Sequence, residues 1–114
     1  MTTYERGSVV LVPFPFTDLS AVKRRPALVI STDAYNAATG DVIIAQITSR
    51  VNSPSRPGDY RPKRWREAGL LIPSLVRARV TTLDSSLLIR ALGLMPPEEM
   101  TEIDRAIGSA LGLA

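Results

Sequence analysis

A chain of 114 residues, 45% of them hydrophobic, can bury one core and is read as a single domain over residues 1–114. It has no histidine and no cysteine, which closes the usual imidazole and thiol chemistries, removes any disulfide framework and argues against a zinc site. Its net charge of +3 is unevenly spread: residues 50–83 hold eight basic and two acidic groups, net +6, while 1–49 balance at four of each and 84–114 carry −3.

A basic middle third suits a polyanionic or acidic partner; the alternative is a solvated face that keeps the chain soluble. No apolar run approaches the ~20 residues needed to span a membrane. The start, Met1 to Arg6, lacks the apolar region of a signal peptide. No membrane association is expected, and a reducing cytoplasm suits a chain without cysteine.

In chain order, Ser8-Val9-Val10-Leu11-Val12 is a short β-branched run that predicts a first strand buried on both faces and ended by Pro13 and Pro15. Phe14 to Arg25 reads as a long polar loop carrying Phe14, Phe16, Asp18 and the basic trio Lys23, Arg24 and Arg25; in a small domain such a loop is usually functional or mobile. Pro26 opens a second strand, Ala27 to Ser31. Asp33 to Asp41 reads as a loop or short helical turn closed by Gly40. Val42 to Thr48 is a third strand, with Val42, Ile44, Gln46 and Thr48 on one side, so that two polar side chains share a face at its exit.

Residues 52–66, rich in proline and arginine around Tyr60 and Trp65, read as an irregular loop. Gly69 to Ile72 and Leu75 to Val80 predict two more strands, the second with Leu75, Arg77 and Arg79 on one face. Thr82 to Leu88 reads as a turn or short helix capped by Asp84 and Ser85. A helix begins at Pro97, with Glu98 and Glu99 at its positive end, an apolar stripe of Met100, Ile103, Ile107, Ala110 and Leu111, and a stop at Gly112. Five short strands and one terminal helix give a mostly β fold with a C-terminal helix, a strongly bent sheet or small barrel.

Two stretches, Gly7 to Leu19 and Lys23 to Ser31 (Lys-Arg-Arg-Pro-Ala-Leu-Val-Ile-Ser), resemble the PemK/MazF family of toxins. The likeness continues through Ile44-Ala45-Gln46-Ile47-Thr48-Ser49, Gly69 to Ser74, Arg77-Ala78, Thr82-Leu83-Asp84 and the closing helix; it is weak over 51–66. The resemblance implies an SH3-like barrel of the CcdB/PemK type that forms a homodimer. It implies a toxin of a type II toxin–antitoxin pair: an endoribonuclease that cuts single-stranded mRNA at short sequences without metal or other cofactor. A cognate antitoxin would fill the RNA groove, and DNA would be met only through that antitoxin. The family's catalytic arginine and threonine fall on Arg25 and Thr48.

The residue chemistry is consistent with that implication. When RNA supplies its own 2′-hydroxyl as nucleophile, the protein must hold it in line with phosphorus and stabilise charge on the phosphoryl oxygens. An arginine fork provides two parallel charge-assisted hydrogen bonds, and a threonine hydroxyl a third. Arg25 is assigned chiefly to electrostatic stabilisation, because a free guanidinium loses its proton only above about pH 12; which group moves the proton stays open. The expected products are a 2′,3′-cyclic phosphate and a 5′-hydroxyl.

Arg24, Ser49 and Arg50 flank this pair and join the candidate RNA-binding set, as do Arg77 and Arg79, with Arg77 the closer match to the family pattern. Phe14 and Phe16 either stack on bases or plug the barrel. Gln46 either reads a base edge or is a strand amide bonded to a neighbour. Arg56, Arg61, Lys63, Arg64 and Arg66 are expected to contact phosphates non-specifically, and Trp65 is a lid over the core or a stacking platform. The apolar stripe of the last helix is read as core packing, and the family resemblance implies that part of it is interface between copies. A competing function on the same fold is a toxin that traps DNA gyrase through its C-terminal helix, with no chemistry of its own; it has no need of Arg25 and Thr48.

Overall fold

Uninterrupted apolar runs give strands that are buried on both sides. In β1 (Ser8–Phe14), fully buried Val9 joins one apolar cluster while Val10 and Val12, equally buried, join a second. β2 (Lys23–Val29) divides in the same way, Leu28 to the first cluster and Ala27 and Val29 to the second. β3 (Asp41–Thr48) sends Ala45 and Ile47 to the first and Val42 and Ile44 to the second, the alternation that a strand's period of two requires. The computed structural model describes residues 4–14 and 23–113.

With β4 (Leu75–Asp84) and β5 (Arg90–Leu94), these strands form one antiparallel sheet in the order β4-β3-β2-β1-β5. The outer strands are not paired with each other among the described residues, so the expected barrel is open. Both interior prolines lie where pairing is one-sided. Pro13 continues β1 opposite Arg24, beyond the end of the β1–β5 ladder at Leu11. Pro26 faces Leu11 on β1, and the ladder to β3 begins only at Ala27. A residue without an N–H is tolerated at such edges. β1 therefore runs on to Phe14 and β2 begins at Lys23, so Phe14 and Lys23 to Arg25, expected in a loop, lie in strands, while 15–22 fall outside the described residues.

The short helical turn is a helix, α1 (Asp33–Thr39). Thr32 Oγ1 accepts from the Tyr35 N–H at 3.1 Å at its start, and Gly40, at φ +73°, donates to Asn36 O at its end. After β4, Asp84 caps a 3₁₀ turn, Ser85–Leu87, by accepting from the Ser86 N–H; that hydrogen bond holds its carboxyl below the usual range.

Gly69 to Ile72, expected as a strand, is not one. The Gly69 and Leu70 N–H groups donate to Arg66 O and Trp65 O, so these donors are spent in local turns rather than on a neighbouring strand. β5, to which the sequence pattern gave no element, takes the outer position beside β1 instead. The 63–72 segment docks against it through two glycines. A Cβ built on Gly69 would stand 2.2 Å from Leu92 O, and one on Gly93 would stand 2.5 Å from Ala68 O.

The terminal helix is α2 (Pro97–Ala110). Met100, Ile103 and Ile107 enter the first cluster with Val9, Leu28, Ile47 and Val76; fully burying such a side chain is worth about 1.5–3 kcal/mol. The stripe stops there, because Ala110 and Leu111 are exposed. Glu99 does more than face the dipole. Though a carboxylate, it is 5% exposed; its Oε1 accepts from the Tyr60 hydroxyl at 2.6 Å and its Oε2 from the Arg64 N–H at 2.9 Å. Tyr60 is also bridged to Val76 of β4, so α2 and the sheet hold the 60–64 segment between them.

The Glu99 hydrogen bond, with burial and the charges of Glu99 and Glu102 behind it, pushes the Tyr60 phenol from 10.0 up to about 12. The folded protein holds this proton more tightly than the unfolded chain does. Its contribution to stability is complete below pH 10 and is lost as pH rises through about 12. Denaturation midpoints are expected to fall across that window, with a smaller fall in Tyr60→Phe; equal falls in both proteins would assign the loss to other groups.

Candidate active site

Pro26 lacks the N–H that would continue the β2–β3 ladder. Pairing stops at Ala27 opposite Gln46. Carried two residues further, the same register sets Arg25 opposite Thr48. Residues directly opposite share a face of the sheet, so Arg25, Gln46 and Thr48 lie together. All three line a groove of about 700 Å³.

Arg25 is exposed, and its guanidinium lies 5.7 Å from the centre of the Phe14 ring, a cation–π contact across β1 and β2. Thr48 begins a turn in which its Oγ1 accepts from the Arg50 N–H at 3.2 Å. With a lone pair engaged, the hydroxyl is turned by its own backbone and keeps its proton to donate.

Six arginines line the groove: Arg25, Arg50, Arg56, Arg77, Arg79 and Arg90; among the described residues no carboxylate does. Five of them have no salt-bridge partner among the described residues. Arg77, expected to be the closer match for a phosphate contact, is the exception. It is 7% exposed. Its Nε lies 3.3 Å from buried Asp59 Oδ1, and its Nη2 donates to Ser53 Oγ at 2.9 Å. Its charge is met from behind, and it ties the 53–59 segment to β4. Exposed Arg79 is the freer cation.

Ser49, Arg50 and Phe14 line the groove, and Phe16 lies outside the described residues. Arg24 does not line the groove. It faces Pro13 one residue before Arg25, and strand alternation turns it away from the groove. The basic loop divides. Arg56 reaches the groove, whereas Arg64 is held by Glu67 and Glu98, and Arg66 stacks 4.6 Å over Trp65. Trp65 packs against the first cluster, which favours the lid over the stacking platform. Arg90 was missed, since it belongs to the strand that the pattern did not reveal. Exposed Leu71 and Ile72 form an apolar rim.

Fold and groove together define a small β-sheet domain whose C-terminal helix covers one face and whose strand ends open into an arginine-lined cleft. The chain belongs to the PemK-like, MazF-like toxins of type II toxin–antitoxin systems, a family of endoribonucleases, which it matches over residues 5–111. It is similar to MazF from Deinococcus radiodurans, with 31% identity and a TM-score of 0.72 over 98% of this chain and 99% of that one. It is similar to the same organism's MazE–MazF complex, with 27% identity and a TM-score of 0.76 over 100% of both chains. A mycobacterial endoribonuclease solved with its cognate antitoxin gives 28% identity and a TM-score of 0.74 over 97% of each chain. No helix among the described residues is long and apolar enough to cross a membrane.

Proposed function

We propose that this toxin is a metal-independent, sequence-specific endoribonuclease acting on single-stranded mRNA in the cytoplasm, with Arg25 and Thr48 at the scissile phosphate. The observation that supports the reading is that both residues line one arginine-lined groove, where the β2–β3 register, extended two residues past Ala27–Gln46, would set them opposite each other. RNA threads the groove with its phosphates against Arg50, Arg56, Arg79 and Arg90. The ribose O2′ attacks phosphorus and the bond to O5′ breaks, leaving a 2′,3′-cyclic phosphate and a 5′-hydroxyl. The Arg25 fork donates to the non-bridging oxygens as their charge grows, and the Thr48 hydroxyl adds a third donor. The protein partners in this reading are a second copy of the chain and a cognate antitoxin, whose acidic segment would suit a cleft of this charge.

The test is cleavage of a long unstructured RNA by purified protein in EDTA, with both new ends mapped. Cyclic-phosphate and 5′-hydroxyl ends are expected, at a rate that drops steeply with added salt when RNA is limiting, because bound phosphates release counterions. Intact RNA under every condition, with growth arrest retained, would reject the nuclease reading.

A further inference from the structure

The five exposed arginines of the groove suit phosphate, which offers only acceptors. Gln46 presents the opposite need. Its Oε1 is buried and has no hydrogen-bond partner among the described residues. Neither strand neighbour supplies one: Ala27, opposite on β2, has no polar side chain, and Arg77, opposite on β4, is engaged by Asp59 and Ser53. Such an acceptor is costly to leave unmet. The surroundings leave room beside it. The β3–β4 register passes from Ala45–Val80 to Gln46–Arg77, so Ala78 and Arg79 stand opposite nothing, and the bulge spreads the strands next to this side chain. Gln46 borders both the main groove and a smaller cavity shared with Phe14, Arg79, Val80 and Thr81.

We infer that Gln46 is a specificity-determining residue, whose carboxamide oxygen accepts from an N–H on the edge of the base beside the scissile phosphate. The inference rests on the RNA reading of the groove. A phosphate cannot donate this hydrogen bond, whereas every base edge carries an N–H. Gln46 stands two residues from Thr48 on the same face, about 7 Å along the strand, which places the base next to the bond being cut. The terminal amide torsion is soft, so the oxygen swings from its sealed position to the groove when a donor arrives.

The experiment uses Arg25→Ala protein, in which cutting is slowed enough for binding to be measured first, and short single-stranded RNAs varied one position at a time. Gln46→Met is expected to lose about tenfold or more of the discrimination at one position. Discrimination elsewhere should be kept, and the thermal midpoint should be equal or higher, because an unmet acceptor has been replaced by an apolar group of similar shape. Gln46→Glu keeps an acceptor and is expected to prefer the same base with weaker overall affinity. Parent-like discrimination in Gln46→Met overturns the inference, as does a lowered midpoint with uniform loss of affinity, the mark of an ordinary structural hydrogen bond. A parent that binds RNA without base preference also overturns it, while leaving the cleavage reading intact. Selective binding by the parent without cutting by the protein that retains Arg25 does the reverse, and a parent that binds no RNA removes both.

Discussion

Arg25→Ala is expected to slow RNA cleavage by about 10²–10³-fold, the usual loss when one preorganised donor to a developing oxyanion is removed. Arg25 is exposed and has no salt-bridge partner among the described residues. Its removal should therefore leave the thermal midpoint within the narrow range of surface substitutions, about 0.5 kcal/mol either way. Arg25→Lys separates geometry from charge. A lysine keeps the cation but cannot form the fork, and its position above the Phe14 ring is not that of a planar guanidinium. It should recover only part of the rate. Thr48→Ala is expected to lower the rate as well, and the double variant to lose less than the product of the single effects, because both groups serve one phosphate. Full activity in either single variant would remove the assigned roles.

Gly69→Ala is expected to destabilise the fold by about 3 kcal/mol, enough to lower the thermal midpoint by about 10 °C or more. The added methyl would have to occupy space 2.2 Å from Leu92 O and 2.6 Å from Leu92 C, at a backbone φ of +86°. The obstacles are backbone atoms of β5, which cannot swing aside as a flexible side chain does. Gly108→Ala is the matched control: it meets nothing within 4 Å, and alanine favours a helix interior by about 1 kcal/mol over glycine. Its midpoint should hold or rise. Equal stability of the two alanine variants would mean that the close approach of residues 68–69 to β5 is not maintained in solution.

The parts of the fold that could be read in the sequence are those in which pattern and burial agree. β1, β3 and α2 carry uninterrupted or periodic apolar residues, and nearly all of these are buried. Gly69 to Ile72 misled because three consecutive aliphatic residues look like a buried strand, yet Leu71 is 92% and Ile72 53% exposed. β5 left no signal, since Arg90, Ala91 and Leu94 are exposed and Leu92 is bulged from the pairing with β1.

Arg25 and Thr48 could be singled out in the sequence because one precedes and the other ends a recognisable apolar run. The behaviour of Arg77 was not legible, because the carboxylate that meets its charge comes from an irregular loop placed by tertiary packing. Gln46 marks the same limit. The sequence shows an amide on the right face, but only the packing of Ala27 and Arg77 leaves its oxygen without a donor.

The pairing of β1 with β5, Ser8 opposite Leu94, bears on the order of events during translation. The proposed catalytic residues lie in the first half of the chain, but β1 cannot acquire its outer neighbour until residue 94 has left the ribosome. The clasp of Glu99 on Tyr60 and Arg64 comes later still. At ~5–20 residues per second, several seconds separate synthesis of Thr48 from completion of the wall opposite it. On the proposed reading, a growing polypeptide thus carries Arg25 and Thr48 well before the sheet that frames them is complete.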